Sequence, residues 1–184
     1  MNNDIAHIRK YIELGAEVNA ANDHENTALI MASKHGNLEA VKLLVINGGD
    51  VNQQNWLGNT ALIYSAGQTG SAMCETLISH DAEVDLYNKK GHTALLNATY
   101  SGNLTSLKIL VDYGANLDIL DGEGKTPLIW ATLRKQQEIV KYLLVSGAQI
   151  NIVDKSGLTA LQWAQYMSSE KICEIIREHK NSEL

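Results

Sequence analysis

Apolar residues recur at the spacing of one helix face in two well-separated segments of the chain. They are Leu38, Val41, Leu44 and Val45 in the first segment, and Leu104, Leu107, Leu110 and Val111 in the second. Residues three and four positions apart lie on the same side of an α-helix, so each set predicts a helix that buries a single stripe. Gly48 and Gly114 follow the two stripes, where helices commonly end in the left-handed conformation that Gly adopts. The pattern therefore predicts short amphipathic helices that end in turns.

Both segments belong to an internal repeat. Five Thr residues stand 33 positions apart, at Thr27, Thr60, Thr93, Thr126 and Thr159. Their surroundings are alike, as in "GNTALIYS", "GHTALLNA" and "GKTPLIWA". Each Thr is a suitable N-cap because its hydroxyl can accept a backbone N–H of the first helical turn, and Pro127 suits the first helical position. One pair of short helices cannot bury its own apolar face, so we expect the repeats to stack into a solenoid with a continuous core.

The repeat resembles the ankyrin repeat. The motif of that family runs roughly Gly-x-Thr-Pro-Leu-His-x-Ala, then a helix ending in Leu-Leu, then Gly-Ala-Asp-Val-Asn. This chain has the Thr-centred segments and, further along each unit, "GGDVN", "DAEVD", "GANLD" and "GAQIN". The resemblance covers nearly the whole chain. It implies an all-α ankyrin-repeat solenoid of helix–turn–helix units, each with a β-hairpin or turn, at a period of 33 residues.

On this basis we expect a single ankyrin-repeat domain over residues 1–184. Its parts are a partial first repeat at 1–22, full repeats at 23–55, 56–88, 89–121 and 122–154, and a C-terminal capping repeat at 155–184. The first repeat lacks its first helix, so the segment 4–14 is either a minimal cap or a continuation of a longer chain. The family's His is also replaced in every repeat, by Ile30, Ile63, Leu96, Ile129 and Gln162.

Charge and composition argue against several classes of protein. The net charge is −6 and the Lys and Arg residues are scattered, whereas a nucleic-acid-binding protein usually has a basic face. No apolar run approaches the ~20 residues of a membrane span, and the first residues lack the plan of a secretory signal. Cys74 and Cys173 share one slot of the apolar stripe, 99 residues apart, and we expect both to be buried and reduced. Reduced cysteines fit a cytoplasmic protein.

The segment "LDGEGKTPLIW" contains the Gly-Lys-Thr that ends a Walker-type phosphate loop. The full motif needs another Gly five residues before Gly124, but Ile119 stands there. The loop must wrap phosphates through backbone conformations that a β-branched residue resists. Within the repeat, Gly124 occupies a turn slot and Lys125 a variable slot of the hairpin. The segment therefore predicts a turn and a helix cap rather than a nucleotide site.

Sequence motifs typical of metal sites and of catalytic nucleophiles are also missing from the sequence. It has no His-x-x-x-His, Cys-x-x-Cys or Gly-x-Ser-x-Gly segment, the usual settings of metal ligands and nucleophiles. His24, His35 and His92 map to hairpin or helix-end slots that we expect to be exposed. We therefore predict no enzyme activity, no catalytic residue, no cofactor and no metal.

Aromatic residues fall on the side of the repeat that we expect to face inward. Trp130 and Trp163 share a first-helix slot with Tyr64, and Tyr100 and Tyr166 share a slot at the end of that helix. Trp and Tyr are enriched in protein interfaces, although Trp130 and Trp163 could instead only pack against neighbouring helices. The predicted partner-binding residues are Trp56, Tyr64, Lys89, Lys90, Tyr100, Trp130, Arg134, Trp163 and Tyr166.

The resemblance to ankyrin repeats implies a non-catalytic scaffold that binds another protein through its concave face and hairpin tips. We expect a monomer that binds neither nucleic acid nor membrane. Two alternatives stay open. One is a structural or targeting ankyrin module cut from a larger multidomain protein. The other is a nucleotide-binding enzyme, which would rest on Gly124, Lys125 and Thr126 alone.

Overall fold

The computed structural model describes residues 5–68 and 71–182, and the regular structure of these residues is helical. The helices are α1 (Ile5–Glu13), α2 (Ala28–Lys34), α3 (Leu38–Ile46), α4 (Ala61–Ala66), α5 (Ala72–Ile78), α6 (Ala94–Ser101), α7 (Leu104–Asp112), α8 (Pro127–Leu133), α9 (Gln137–Val145), α10 (Ala160–Tyr166) and α11 (Glu170–Ser182). The longest has 13 residues. Within the described ranges, none is both long and apolar enough to cross a lipid bilayer.

In each full repeat and in the last one, the repeated Thr determines where the first helix of that repeat begins. In α2, α4, α6, α8 and α10 the Thr hydroxyl accepts the N–H of the residue three positions on, at 3.1–3.3 Å. The predicted Thr N-caps are confirmed. At Thr159 the side chain of Gln162 also accepts the Thr159 N–H, at 2.8 Å, and completes a capping box. Gln162, which stands at the position of the family's His, therefore stabilises α10, the first helix of the last repeat.

The helices form two layers that follow the order of the repeats. The inner layer stacks α2 on α4, α4 on α6, α6 on α8 and α8 on α10. In the outer layer α1 packs on α3, α3 on α5, α5 on α7, and α9 on α11. The core lies between the layers and includes Leu62, Leu95 and Leu128 on the inner side with Leu77 and Leu107 on the outer side, all at most 1% exposed. This is the predicted solenoid with a continuous core.

The hairpins that precede the inner helices are tight turns rather than paired strands. The described residues contain one isolated bridge, between Ala21 and Thr27, and no named strand. Each turn is closed by a backbone hydrogen bond across four residues, as from Asn88 N–H to the carbonyl of His92 at 3.0 Å. Of the two expected forms, β-hairpin or turn, these residues adopt the turn.

The two ends of the stack differ in how well they are covered. Helix α1 has no fully buried residue, and Tyr11 and Leu14 are exposed. Leu44 is the equivalent of Tyr11 one repeat later, and it is buried in the core. At the other end α11 buries Ile172 and Ile176 while its charged residues face outward. The described part of α11 thus has the polar outer face that is usual in the terminal unit of a repeat protein.

Candidate partner-binding surface

One Asn or Asp side chain organises each hairpin. The five residues lie 33 positions apart and are Asn22, Asn55, Asn88, Asp121 and Asp154. In each case one side-chain oxygen accepts the backbone N–H groups of the residues two and four positions on, at 2.8–3.2 Å. These are Asx turns, which fix the hairpin without strand pairing. These five residues were not among the predicted site residues, although their 33-residue spacing is visible in the sequence.

In three of the hairpins, the other side-chain oxygen or nitrogen of this Asp or Asn is hydrogen-bonded to a side chain of the inner helix. Asp121 Oδ2 accepts Trp130 Nε1–H at 2.7 Å, and Asp154 Oδ2 accepts Trp163 Nε1–H at 2.8 Å. An indole N–H can only donate, so it requires an acceptor such as a carboxylate. Where the inner helix carries Tyr64, the hairpin residue is Asn55, whose Nδ2–H donates to the Tyr64 hydroxyl at 3.3 Å. The hairpin residue is therefore matched to its inner-helix partner.

Successive hairpins are also joined side chain to side chain. Asn55 Nδ2 donates to Asn26 Oδ1 and Asn88 Nδ2 donates to Asn59 Oδ1, both at 2.8 Å. In the next pair His92 Nε2 lies 3.8 Å from Asp121 Oδ2. The positions Asn26, Asn59, His92 and Lys125 are equivalent, and the sequence analysis treated them as one variable slot. The position does vary in residue type, and at Asn26, Asn59 and His92 its side chain faces the Asn or Asp of the following hairpin.

Two titratable groups in these contacts have shifted pKa values. Burial acts to raise the pKa of Asp154, but hydrogen bonds from Trp163, Leu158 and Ser156 and the charge of Lys125 outweigh it, so this pKa lies below its ordinary value. Burial lowers the pKa of His92, although the nearby Asp121 carboxylate opposes the shift. His92 is half-buried, not exposed as its hairpin slot had suggested.

A groove of about 730 Å³ lies between the third and fourth of these hairpins. We call it the central groove. Its lining includes Lys89, Lys90, His92, Asn97, Tyr100 and Trp130, and Arg134 stacks on Tyr100 beside it. The rings of Tyr100 and Trp130 meet edge to face, 5.4 Å apart. The Arg134 guanidinium lies 4.3 Å from the centre of the Tyr100 ring, and Lys125 Nζ lies 5.6 Å from that of Trp130.

The structure brings five of the nine predicted partner-binding residues together at the central groove. They are Lys89, Lys90, Tyr100, Trp130 and Arg134. Trp56 is half exposed at an earlier hairpin tip, with its ring 5.7 Å from that of His24.

The other three lie deeper or further along the stack. Tyr64 is half-buried, and its hydroxyl also receives a hydrogen bond from Asn59 at 3.2 Å. Trp163 and Tyr166 form a separate pair, 5.8 Å apart, in the last repeat. The half-buried indoles of Trp130 and Trp163 thus have a structural role as well as an accessible edge.

Two backbone N–H groups of the Gly-Lys-Thr segment are already engaged inside the hairpin. Gly124 N–H donates to the Asp121 carbonyl at 2.9 Å, and Lys125 N–H donates to the Asp121 carboxylate at 2.8 Å. Lys125 Nζ pairs with Glu123, and Thr126 caps α8. The N–H groups of Gly124 and Lys125, which a phosphate loop would present to its ligand, are therefore used inside the hairpin.

The cysteines and potential metal ligands show no reactive arrangement among residues 5–68 and 71–182. Cys74 and Cys173 are buried and unpaired, as the sequence predicted. Burial raises the pKa of the Cys74 thiol despite its contacts with Ser65 and Ser106. Within the same ranges, His, Cys, Asp and Glu side chains form no group of three that could hold a metal ion.

Comparison with known proteins identifies the repeat. A family model described as ankyrin repeats matches three times, over residues 1–88, 68–154 and 114–184, and so spans the chain. No curated protein matches the chain. The matched model agrees with the 33-residue Thr period and with the two layers of helices described above. The chain is a member of the ankyrin-repeat family.

Proposed function

We propose that the protein is a non-catalytic scaffold that binds a partner protein through the concave face formed by its inner helices and hairpin tips. Ankyrin repeats are generally modules of protein–protein interaction and are typically non-catalytic. The observation that carries the proposal is the set of exposed aromatic and cationic side chains at the central groove. Function depends on such a site more than on the fold that carries it.

The chemistry of this face suits protein recognition. Trp, Tyr and Arg supply most interface hot spots because they combine a large apolar area with polar groups. Tyr100 is 43% exposed and Trp56 is 49% exposed, so both offer area that a partner can bury. Tyr100 is held between Trp130 and Arg134. Side chains fixed before binding lose little conformational entropy when the partner arrives.

We also propose a cytoplasmic location. Cys74 and Cys173 are free and buried, and nothing in their surroundings pairs them. Unpaired thiols of this kind are common in proteins of reducing compartments. Fractionation of source cells with an antibody against the intact chain tests this, and recovery mainly in a membrane or secreted fraction would contradict it.

Co-precipitation with a matched pair of variants tests the binding face. The concave variant replaces Trp56, Tyr100 and Tyr166 with Ala, and all three side chains are exposed. The control variant replaces Ile46, Tyr113 and Val145, which lie at the ends of the outer helices and are on average even more exposed. Proteins captured from an extract of the source cells are quantified by mass spectrometry.

We expect a protein that is enriched by the wild type and by the control variant, and lost with the concave variant. Circular dichroism should show the same helical content for all three chains, because the replaced side chains lie outside the core. Equal recovery of the captured protein by both variants would show that the concave face is not the binding surface.

A further inference from the structure

Cations on the two sides of this molecule have different surroundings. On the outer helices Lys42 pairs with Glu39, Lys141 with Glu138 and Lys171 with Glu174, each three residues apart and at 2.7–3.2 Å. At the central groove no carboxylate of the described residues lies within 4.0 Å of Lys89, Lys90 or Arg134. These three outer lysines are locally neutralised, and Lys89, Lys90 and Arg134 at the groove are not.

Two carboxylates, those of Asp121 and Glu123, also line the groove, and both already have partners. Asp121 is 7% exposed and accepts hydrogen bonds from Trp130 and from the backbone of Glu123 and Lys125. Glu123 pairs with Lys125. The groove and its rim carry four cationic side chains against these two carboxylates, namely Lys89, Lys90, Lys125 and Arg134. A protein of net charge −6 therefore presents a locally cationic groove at the centre of its concave side.

We propose that the central groove binds an acidic peptide segment of the partner protein, with Asp or Glu side chains on either side of an aromatic or large apolar residue. This inference rests on the proposed function and specifies its ligand. Carboxylates would pair with Lys89, Lys90 and Arg134. The apolar side chain would pack on the exposed surface of Tyr100 and Trp130.

Arg134 is placed to bind a carboxylate while it stays stacked. Its guanidinium lies over the Tyr100 ring, 4.3 Å from the ring centre. Stacking uses the face of the planar group and leaves its edge N–H groups available for a bidentate contact with a carboxylate. The ring also fixes the guanidinium, so fewer rotamers are lost on binding.

Electrostatic attraction at the groove would act mainly on the association rate and on the choice of partner. Lys89 and Lys90 are exposed at a hairpin tip, where salt screens a charge but an approaching acidic segment still feels it over ~10 Å. A basic or neutral segment would gain nothing from these residues. The groove is therefore expected to discriminate by charge.

Selection from a displayed library of random 12-residue peptides tests this proposal on the intact chain. The groove variant carries Lys89→Gln, Lys90→Gln and Arg134→Gln. The control variant carries Lys42→Gln, Lys141→Gln and Lys171→Gln, which changes the net charge by the same amount on the outer helices. Selected peptides are resynthesised, together with versions that have Asn for Asp and Gln for Glu, and titrated by fluorescence anisotropy at two salt concentrations.

We expect the wild type to select peptides rich in Asp and Glu around a Trp, Tyr or Leu. Their affinity should fall about tenfold or more in the groove variant, stay within about twofold in the control variant, and weaken in higher salt and in the amide versions. Selected peptides that need the groove but show no excess of acidic residues would overturn the acidic preference and leave the proposed function standing.

Two further outcomes would overturn the peptide-binding proposal as a whole. If the wild type selects no peptide, or only peptides that the groove variant binds equally well, the groove is not a peptide site, and the binding face proposed above loses its central part. A fluorescent oligothymidylate of 12 nucleotides serves as a second probe. Groove-dependent binding of this probe, tighter than that of every selected peptide, would assign the groove to single-stranded nucleic acid instead.

Discussion

In two repeats a buried carboxylate faces an indole N–H, and in another an amide faces a phenol. Asp121 with Trp130 and Asp154 with Trp163 are the first kind, and Asn55 with Tyr64 is the second. The match follows from the donors available, since an indole cannot accept a hydrogen bond and a phenol can. At the scale of single residues, one side-chain hydrogen bond therefore joins the hairpin to the inner helix in each of these three repeats.

Replacing Asp121 with Asn should destabilise the protein by about 1–3 kcal/mol, because the new amide N–H would face the Trp130 N–H and leave buried donors unpaired. Asp118→Asn is the control. Its side chain accepts only the Gln149 N–H among the described contacts, at 2.9 Å, and an amide oxygen can do the same. Urea denaturation followed by circular dichroism measures both.

The pairing itself is tested by adding Trp130→Phe, which removes the indole N–H. The loss caused by Asp121→Asn should be smaller in that background, with a coupling of about 1 kcal/mol or more. Strictly additive losses would mean that the hydrogen bond between Asp121 and Trp130 does not contribute to stability.

His92 should make the stability depend on pH below neutrality. Burial lowers its pKa below the ordinary 6.5, against the opposing charge of Asp121 and with a small further lowering from Lys90. The unfolded chain then binds more protons, so the stabilising contribution is complete above pH 6.5 and is lost as the pH falls through the folded pKa. We expect the free energy of unfolding to decrease from pH 7.5 to 5.5, and to decrease less in His92→Gln. The same decrease in both proteins would show that His92 is not responsible.

The sequence revealed which position of the repeat each of these residues occupies, but not what each side chain contacts. Comparison of equivalent positions in successive repeats correctly placed Tyr64, Trp130 and Trp163 on the inner helices. The 33-residue period fixes which helix, and which face of that helix, a position occupies. The comparison gave no account of His92, because its contact with Asp121 lies in the following hairpin. A pair such as Asp121 and Trp130 could have been found by comparing repeats, since Asp replaces Asn in the two repeats whose inner helix carries Trp.

At the scale of elements, the hairpins are packed backbone against backbone. Gly91 has φ +77°, and a Cβ added there would lie 2.9 Å from the backbone N of Gly122 in the next hairpin. Lys90 also accepts the Gly122 N–H on its carbonyl, at 2.7 Å. Glu25 adopts the same left-handed conformation in the first hairpin, with φ 56°. The Asx turn therefore sets the backbone conformation, and Gly is required where the next hairpin approaches closely.

Gly91→Ala should therefore cost more stability than Gly157→Ala. Gly157 has φ +75° but nothing within 4 Å of an added Cβ, so its replacement should cost about 1 kcal/mol for the backbone conformation alone. Gly91→Ala adds a clash between hairpins, and we expect a further loss of about 1 kcal/mol or more. Urea midpoints of the two variants give the difference. Equal midpoints would show that the hairpins can separate without cost.

The starts of the elements were predictable because they depend on local chemistry. Each Thr caps the helix that follows it, and this needs no information from elsewhere in the chain. The form of the hairpins was not decided by the sequence, because a turn closed by one backbone bond and an Asx side chain has no strand pattern of alternating residues. Only the contacts between neighbouring hairpins distinguish the two forms.

At the scale of the whole molecule, the charge that a partner meets depends on where the charged side chains lie more than on the net charge. The net charge of −6 and the scattered Lys and Arg residues argued against an extended basic face. The solenoid pairs Lys42 and Lys141 with carboxylates on the outer helices and gathers unpaired Lys89, Lys90 and Arg134 at the central groove. The fold thus creates a surface whose charge is opposite to that of the protein as a whole.

Site-specific photocrosslinking tests the proposed binding face most directly. A benzophenone amino acid replaces Tyr100 in the central groove or, as the control, Tyr113 at the end of an outer helix; the two native side chains are 43% and 56% exposed. After irradiation in an extract of the source cells, we predict a discrete crosslinked protein from position 100 and none from position 113. The same crosslinked protein from both positions, or from position 113 alone, would contradict recognition through the concave face.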